Sequence, residues 1–233
     1  MKKILITRRL MKVSEEYASR IFNVKLNEER IAEPHSDKPV SKSLRHIFEL
    51  ETELKSDIQK CKKCELHKSR KMAVPGSGPK NANVILIGEA PGAEEDTNGK
   101  PFCGRGGKLL DKVISNNNLF RKKFYVTNIV KCRPPNNRKP KKEEIQSCSE
   151  YLQNEIRLIN PELITLLGRT AIENIHKKLP ISKNHGKISY KSGRKFLITY
   201  HPAAILRNPR LSKTFSNDLK KIKSNTGSNK KND

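Results

Sequence analysis

The sequence has no apolar run approaching the roughly 20 residues that a membrane-spanning helix needs, so a helical membrane protein is not expected. Its first apolar stretch, Ile4-Leu5-Ile6, is too short for a secretory signal. A cytoplasmic chain is therefore expected, in a compartment where thiols stay reduced and cysteine pairs more often hold metal than each other. Internal repeats are also absent, which argues against a solenoid. Acidic residues are scarce: 24 Asp and Glu stand against 49 Lys and Arg, a formal net charge of +25. Such an excess implies a polyanionic partner, most simply nucleic acid, unless the whole proteome is lysine-rich. The 233 residues suit one domain with appendages.

Cysteine is sparse but patterned. Cys61 and Cys64 form a C-x-x-C pair, and Cys132 and Cys148 follow only after a long excursion that no zinc-finger spacing requires. Four thiolates can close one centre, either an iron–sulfur cluster or a four-cysteine zinc site. The fifth, Cys103, reads as a small apolar wall residue beside Phe102.

Residues 1–40 are polar and charged, with an amphipathic pattern around Val13 to Phe22, and read as a basic appendage of unassigned role. Residues 41–223 carry the folded domain and 224–233 a basic tail with too little apolar surface to order itself. Leu44, Ile47, Phe48, Leu50, Leu54 and Ile58 recur at helical spacing. Apolar runs at Val84 to Gly88, Phe124 to Asn128, Leu163 to Gly168 and Phe196 to His201 predict buried strands. Helical patterns follow at Arg105 to Asn117, Lys141 to Ile159, Arg169 to Lys178 and Leu211 to Lys223. This alternation predicts a three-layer α/β/α sandwich around a central four-stranded parallel sheet. Ligands in such sheets bind at the carboxyl ends of the strands, where Glu89, Asn128, Gly168 and His201 fall.

Gly88-Glu89-Ala90-Pro91-Gly92, Gly99 to Gly104, Thr127-Asn128, Lys131-Cys132-Arg133-Pro134-Pro135 and His201-Pro202-Ala203 occur in order with the spaced cysteines. Together they resemble the iron–sulfur family 4 uracil-DNA glycosylases over roughly residues 50–222, and the Glu89 form favours that family over family 5. Cys103 and Gly106 depart from the residues the family usually carries. The resemblance implies a structural [4Fe–4S] cluster on Cys61, Cys64, Cys132 and Cys148, and a monofunctional enzyme that flips uracil from DNA and hydrolyses its N-glycosidic bond in base excision repair. No lysine is placed as a Schiff-base nucleophile, so strand cleavage is not expected.

The residues themselves suit that chemistry. Phe102 can stack on a flipped base or simply plug the core. The Asn128 amide offers the donor and acceptor that uracil N3–H and O4 complement, or satisfies its strand end. His201 can donate to uracil O2 as negative charge develops there, best as a neutral ring, or bond within the core. By resemblance Glu95 crowds out thymine's methyl group and Gly88 and Ala90 flank the base, although Glu95 also suits a solvated turn. Glu89, a backbone group or Asn137 can position water, since Ala90 stands where the wider superfamily often has a carboxylate. Leu206 suits a wedge in the stack and Arg207 a phosphate contact. Uracil-containing DNA is the expected partner of a monomer, with a sliding clamp or polymerase left open. Three other readings are a non-catalytic iron–sulfur nucleic-acid-binding module, a zinc-bound basic scaffold and a broader deaminated-base glycosylase.

Overall fold

A computed structural model of the chain describes residues 38–176 and 180–226, with side chains from Glu49 onward. The helical pattern at Val13 to Phe22 and the end of the basic tail lie outside the described residues. The chain divides between Asp57 and Ile58. Helix α1, Lys38–Lys60, runs through that boundary, and the architecture below is that of the body beginning at Ile58.

Four apolar runs become strands β1 (Val84–Gly88), β2 (Phe124–Asn128), β3 (Leu163–Leu167) and β5 (Arg194–Thr199), all mutually parallel where they pair. Their side chains are buried on both faces, which is why they read as continuous apolar runs rather than alternating ones. A fifth strand, β4 (Ile188–Lys191), corrects the expected four-stranded sheet: it lies antiparallel to β5 at the edge, giving the order β2-β1-β3-β5-β4. Ser192 and Gly193 both adopt positive φ, the two-residue turn that matches strand twist. Tyr190 is 70% exposed, so this edge strand offers no apolar run to read.

Helices cover both faces. Val84 and Leu86 join Leu110, Val113 and Ile114 of α3 (Arg105–Asn116) and Phe215, Leu219 and Ile222 of α8 (Ser212–Asn225) in one apolar cluster. Thr127 and its register partner Ile87 face the other side, where α4 (Lys142–Ile159) and α5 (Arg169–Ile175) pack. The expected helices therefore appear with ends shifted by a few residues, and α8 continues to Asn225. Three short helices carried no readable apolar period: α2 (Ala93–Asn98), α6 (Ile181–Asn184) and α7 (Pro202–Arg207). The segment after His201, which carries the expected wedge Leu206 and the phosphate contact Arg207, is thus helical, as is the turn around Glu95. No described helix is long and apolar enough to cross a membrane.

In this order β1 runs on to β2 on one side, whereas its other neighbour β3 runs on toward β4 and β5 on the opposite side. The loops after β1 and β3 then part and leave a crevice at their carboxyl ends.

Candidate active site

Gly88, the last residue of β1, lies beneath that crevice and does not itself line the cavity. A β-carbon there would come within 2.5 Å of Asn128 Oδ1, 2.7 Å of Phe102 Cζ and 3.2 Å of His201 Nε2. Groups from three separate segments thus converge over one α-carbon, and only glycine leaves room for them. Glu89, Ala90, Glu95, Asn137, Leu206 and Arg207 line the same cavity of about 740 Å³.

Asn128 ends β2 opposite Gly88 and is 2% exposed. Phe102 holds a left-handed backbone (φ 55°), and its ring lies 6.0 Å from that of His201, tilted by 32°. Such a backbone is costly for a bulky residue. The first turn of α3 presses against it: a β-carbon at Gly107 would overlap the Phe102 carbonyl.

His201 caps α7. Its Nδ1 accepts the Ala203 N–H at 3.2 Å, so the neutral ring carries its proton on Nε2, the atom that faces Gly88. Lost hydration, and then the Arg207 charge, bring its pKa down to about 4. The ring is therefore neutral at physiological pH, with its one N–H aimed into the cavity.

The two carboxylates differ. The Thr170 hydroxyl, on the first turn of α5, donates to Glu89 Oε2 and so orients that side chain. Both oxygens of Glu95 accept backbone N–H groups, Gly92 at 3.1 Å and Gly104 at 2.7 Å. Glu95 therefore laces the turn after β1 to the turn before α3 as well as lining the cavity. Asn137 is exposed, follows Asn136 in the left-handed region, and accepts from Arg133 Nε at 2.8 Å. Leu206 is 40% exposed at the mouth, beside Arg207, whereas neighbouring Ile205 is core.

Thr170, Tyr200, Arg105 and Arg169 also line the cavity and were not singled out from sequence. The signal existed for Arg169 and Thr170, which follow Gly168 at the carboxyl end of β3. Cys103, read as a wall of the pocket, does not line it; its thiol receives the Asn98 amide at 3.9 Å.

Beyond Asn128 the chain passes to a second cavity, lined by Cys61, Cys64, Cys132 and Cys148 with Ile58, Arg70, Lys131 and Tyr151. The four thiols share it, yet among the described residues no three His, Cys, Asp or Glu side chains stand in a metal-ligating arrangement. Each of three sulfurs accepts a donor: Cys132 from Arg70 Nη1 at 2.8 Å, Cys148 from the Lys131 N–H at 3.3 Å, and Cys61 from the Lys63 N–H at 3.4 Å. Burial pushes the Cys148 thiol up to about 12 and raises Cys132 and Cys64 as well.

A pocket at the carboxyl edge of a mostly parallel sheet, holding an aromatic ring, a buried amide and a neutral histidine, is an arrangement for gripping a flat heterocycle. Residues 75–223 match the uracil DNA glycosylase superfamily. Over 177 residues the chain is 45% identical to a type-4 uracil-DNA glycosylase of Saccharolobus solfataricus, covering 72% of this chain and 82% of that protein. It is 42% identical to one of Archaeoglobus fulgidus (71% and 88%) and 44% identical to one of Sulfurisphaera tokodaii (73% and 82%). The chain belongs to the uracil-DNA glycosylase superfamily and, within it, to the type-4 group, as its ordered motifs indicated.

Proposed function

We propose that the protein is a monofunctional uracil-DNA glycosylase of base excision repair. The observation that carries this reading is the convergence of Asn128, Phe102 and His201 Nε2 over Gly88. A uracil flipped into the cavity stacks on Phe102 and pairs its O4 and N3–H with the Asn128 amide, while His201 Nε2–H donates to O2. The bond between deoxyribose C1′ and uracil N1 breaks with both electrons going to the base. The His201 donor stabilises the resulting negative charge without giving up its proton. Water adds to C1′, its proton leaving toward the Glu89 carboxylate, which Thr170 holds in place. Asn137, held by Arg133, is the second group near enough to the mouth to order that water. The products are free uracil and an abasic site. Glu95 sets the shape of the wall that meets uracil C5, Gly88 and Ala90 leave space for the base, and Leu206 fills the stack while Arg207 meets a phosphate.

Cys61, Cys64, Cys132 and Cys148 would hold a [4Fe–4S] cluster; the donor set fits, since four thiols line one cavity with N–H groups aimed at three sulfurs. Such a cluster would supply structure and charge here, because glycoside hydrolysis needs no electron transfer. Uracil-containing DNA is the substrate of an intracellular monomer, and the +25 charge favours its phosphates.

Anaerobic purification, a visible spectrum, and incubation with a uracil-containing oligonucleotide followed by alkali test the reading together. Strand breaks only after alkali, from a yellow-brown protein, are expected. Tight DNA binding with no uracil released would make it a binding module, stoichiometric zinc would replace the cluster, and release of hypoxanthine at a similar rate would broaden the specificity.

A further inference from the structure

Lys131 is among the largest fully buried side chains of the described residues, and its partner Glu155 is equally buried, each with a side chain 1% exposed. All three ammonium hydrogens are used: Nζ donates to Thr127 Oγ1 at 2.6 Å, to the Asn128 carbonyl at 2.9 Å and to Glu155 Oε2 at 2.6 Å. Thr127 Oγ1 in turn donates to Glu155 Oε2 at 2.6 Å, and Glu155 Oε1 accepts the Gly76 N–H at 2.7 Å. The Lys131 backbone N–H donates to Cys148 Sγ. A buried ion pair of this kind seldom stabilises a fold more than apolar residues of the same volume would, because both charges must be stripped of water. What it supplies is direction. Asn128 is the last residue of β2, and its carbonyl orientation fixes the peptide plane from which the next turn departs. Anchoring that carbonyl also anchors the Cα–C bond of Asn128 and with it, by tetrahedral geometry, the direction in which its side chain leaves the backbone.

We propose that Lys131 is a positioning residue for base recognition: with Glu155 it locks the strand end that carries Asn128 and ties it to the helix that carries Cys148. This rests on the glycosylase reading. The same residue lines the cysteine cavity, where its backbone N–H meets Cys148, while its ammonium holds the backbone carbonyl of Asn128, so displacement at either end is felt at the other.

The test uses full-length protein, with single-turnover cleavage of a uracil oligonucleotide and competition by a thymine oligonucleotide. Lys131→Met should lower the apparent second-order rate constant about tenfold or more, and weaken the preference for uracil over thymine DNA. In an Asn128→Ala background the same change should cost less than about twofold, because the group it positions is gone. The double change Lys131→Met with Glu155→Leu should recover the melting temperature and iron content but not the preference for uracil. If Lys131→Met does not fold, Thr127→Val removes one partner of the ammonium and should show the same background dependence in smaller measure. Equal fold losses with and without Asn128, or recovery of uracil preference by the apolar pair, would overturn the proposal. A wild type that releases no uracil would instead remove the glycosylase reading itself.

Discussion

The base pocket and the cysteine cavity flank the same short stretch, Asn128 to Cys132, yet their polar groups are satisfied in opposite ways. In the pocket, neutral or backbone donors meet three of the key groups: Ala203 N–H holds His201, Thr170 orients Glu89, and two glycine N–H groups grip Glu95. In the cysteine cavity burial pushes thiols up, to about 12 for Cys148, and single N–H donors meet individual sulfurs. Hydrogen bonds of the first kind form with the fold and preorganise a site for charge that develops only during reaction. If these thiols are ionised on the cluster proposed above, their charge is balanced by that occupant and the region's stability is linked to it. A pocket substitution should therefore change chemistry and leave structure, whereas a cysteine substitution should change both.

The largest expected effect lies on the cysteine side. Cys148→Ser or Cys132→Ser should bleach the visible absorbance, drop iron well below four per chain, and lower soluble yield and melting temperature together. A colourless Cys148→Ser protein that melts and cleaves like wild type would erase the contrast between the two regions.

His201→Ala comes next. Losing one preorganised donor to a developing oxyanion typically costs about 10²–10³-fold in rate. Single-turnover kinetics should show that loss while colour, melting temperature and affinity for uracil DNA stay near wild type. Equal rates in the two proteins would strip His201 of its role without touching the fold.

Phe102→Ala should cost about the stacking contribution, 1–3 kcal/mol per base, measured mainly as weaker saturation. It should also relieve a strained left-handed backbone, because alanine tolerates φ near 55° better than a bulky ring does. Melting temperature should therefore fall less than for a typical buried phenylalanine, whose loss costs about 3–5 kcal/mol. A full core-sized destabilisation would mean that Phe102 serves the core first.

How much of this could be read from the sequence follows the same division. Strands β1, β2, β3 and β5 are buried on both faces, so their apolar runs and the strand-end residues Glu89, Asn128 and His201 were legible. The antiparallel β4 was not, because an exposed edge alternates Ile188 and Tyr190 with polar residues. Nor were α2 and α7, single short turns whose helicity is set by Gly92 and His201 at their starts rather than by any apolar period. The Thr170 bond to Glu89 and the Lys131–Glu155 pair join residues far apart in sequence, and Glu95's grip on Gly92 and Gly104, though local, depends on how the two turns fold; residue type alone does not announce them. The cysteine spacing announced a shared cavity, which local packing of Ile58 and Tyr151 then closed.

The smallest expected effect concerns pH and sharpens the pocket's side of the contrast. The folded pKa of His201 lies near 4, below the ordinary value of 6.5, because burial and Arg207 both disfavour the imidazolium. At pH 7 the ring is neutral in folded and unfolded chains, so it contributes no pH-dependent penalty. As pH falls below about 6.5 the unfolded chain binds a proton that the native ring does not, and stability should decline until about pH 4. Other groups titrate in that window, so the measure is the difference between wild type and His201→Asn, whose melting temperatures should converge as pH falls from 7 to 4. Wild-type single-turnover cleavage should show no histidine inflection near 6.5, since the donating N–H is carried by the neutral ring throughout. Arg207→Ala should raise the His201 pKa only slightly, because Arg207 is exposed, its charge is screened, and the larger cause is lost hydration. An inflection near 6.5 in the wild type would mean that the imidazolium is the donor and that the ring is better hydrated than its setting implies.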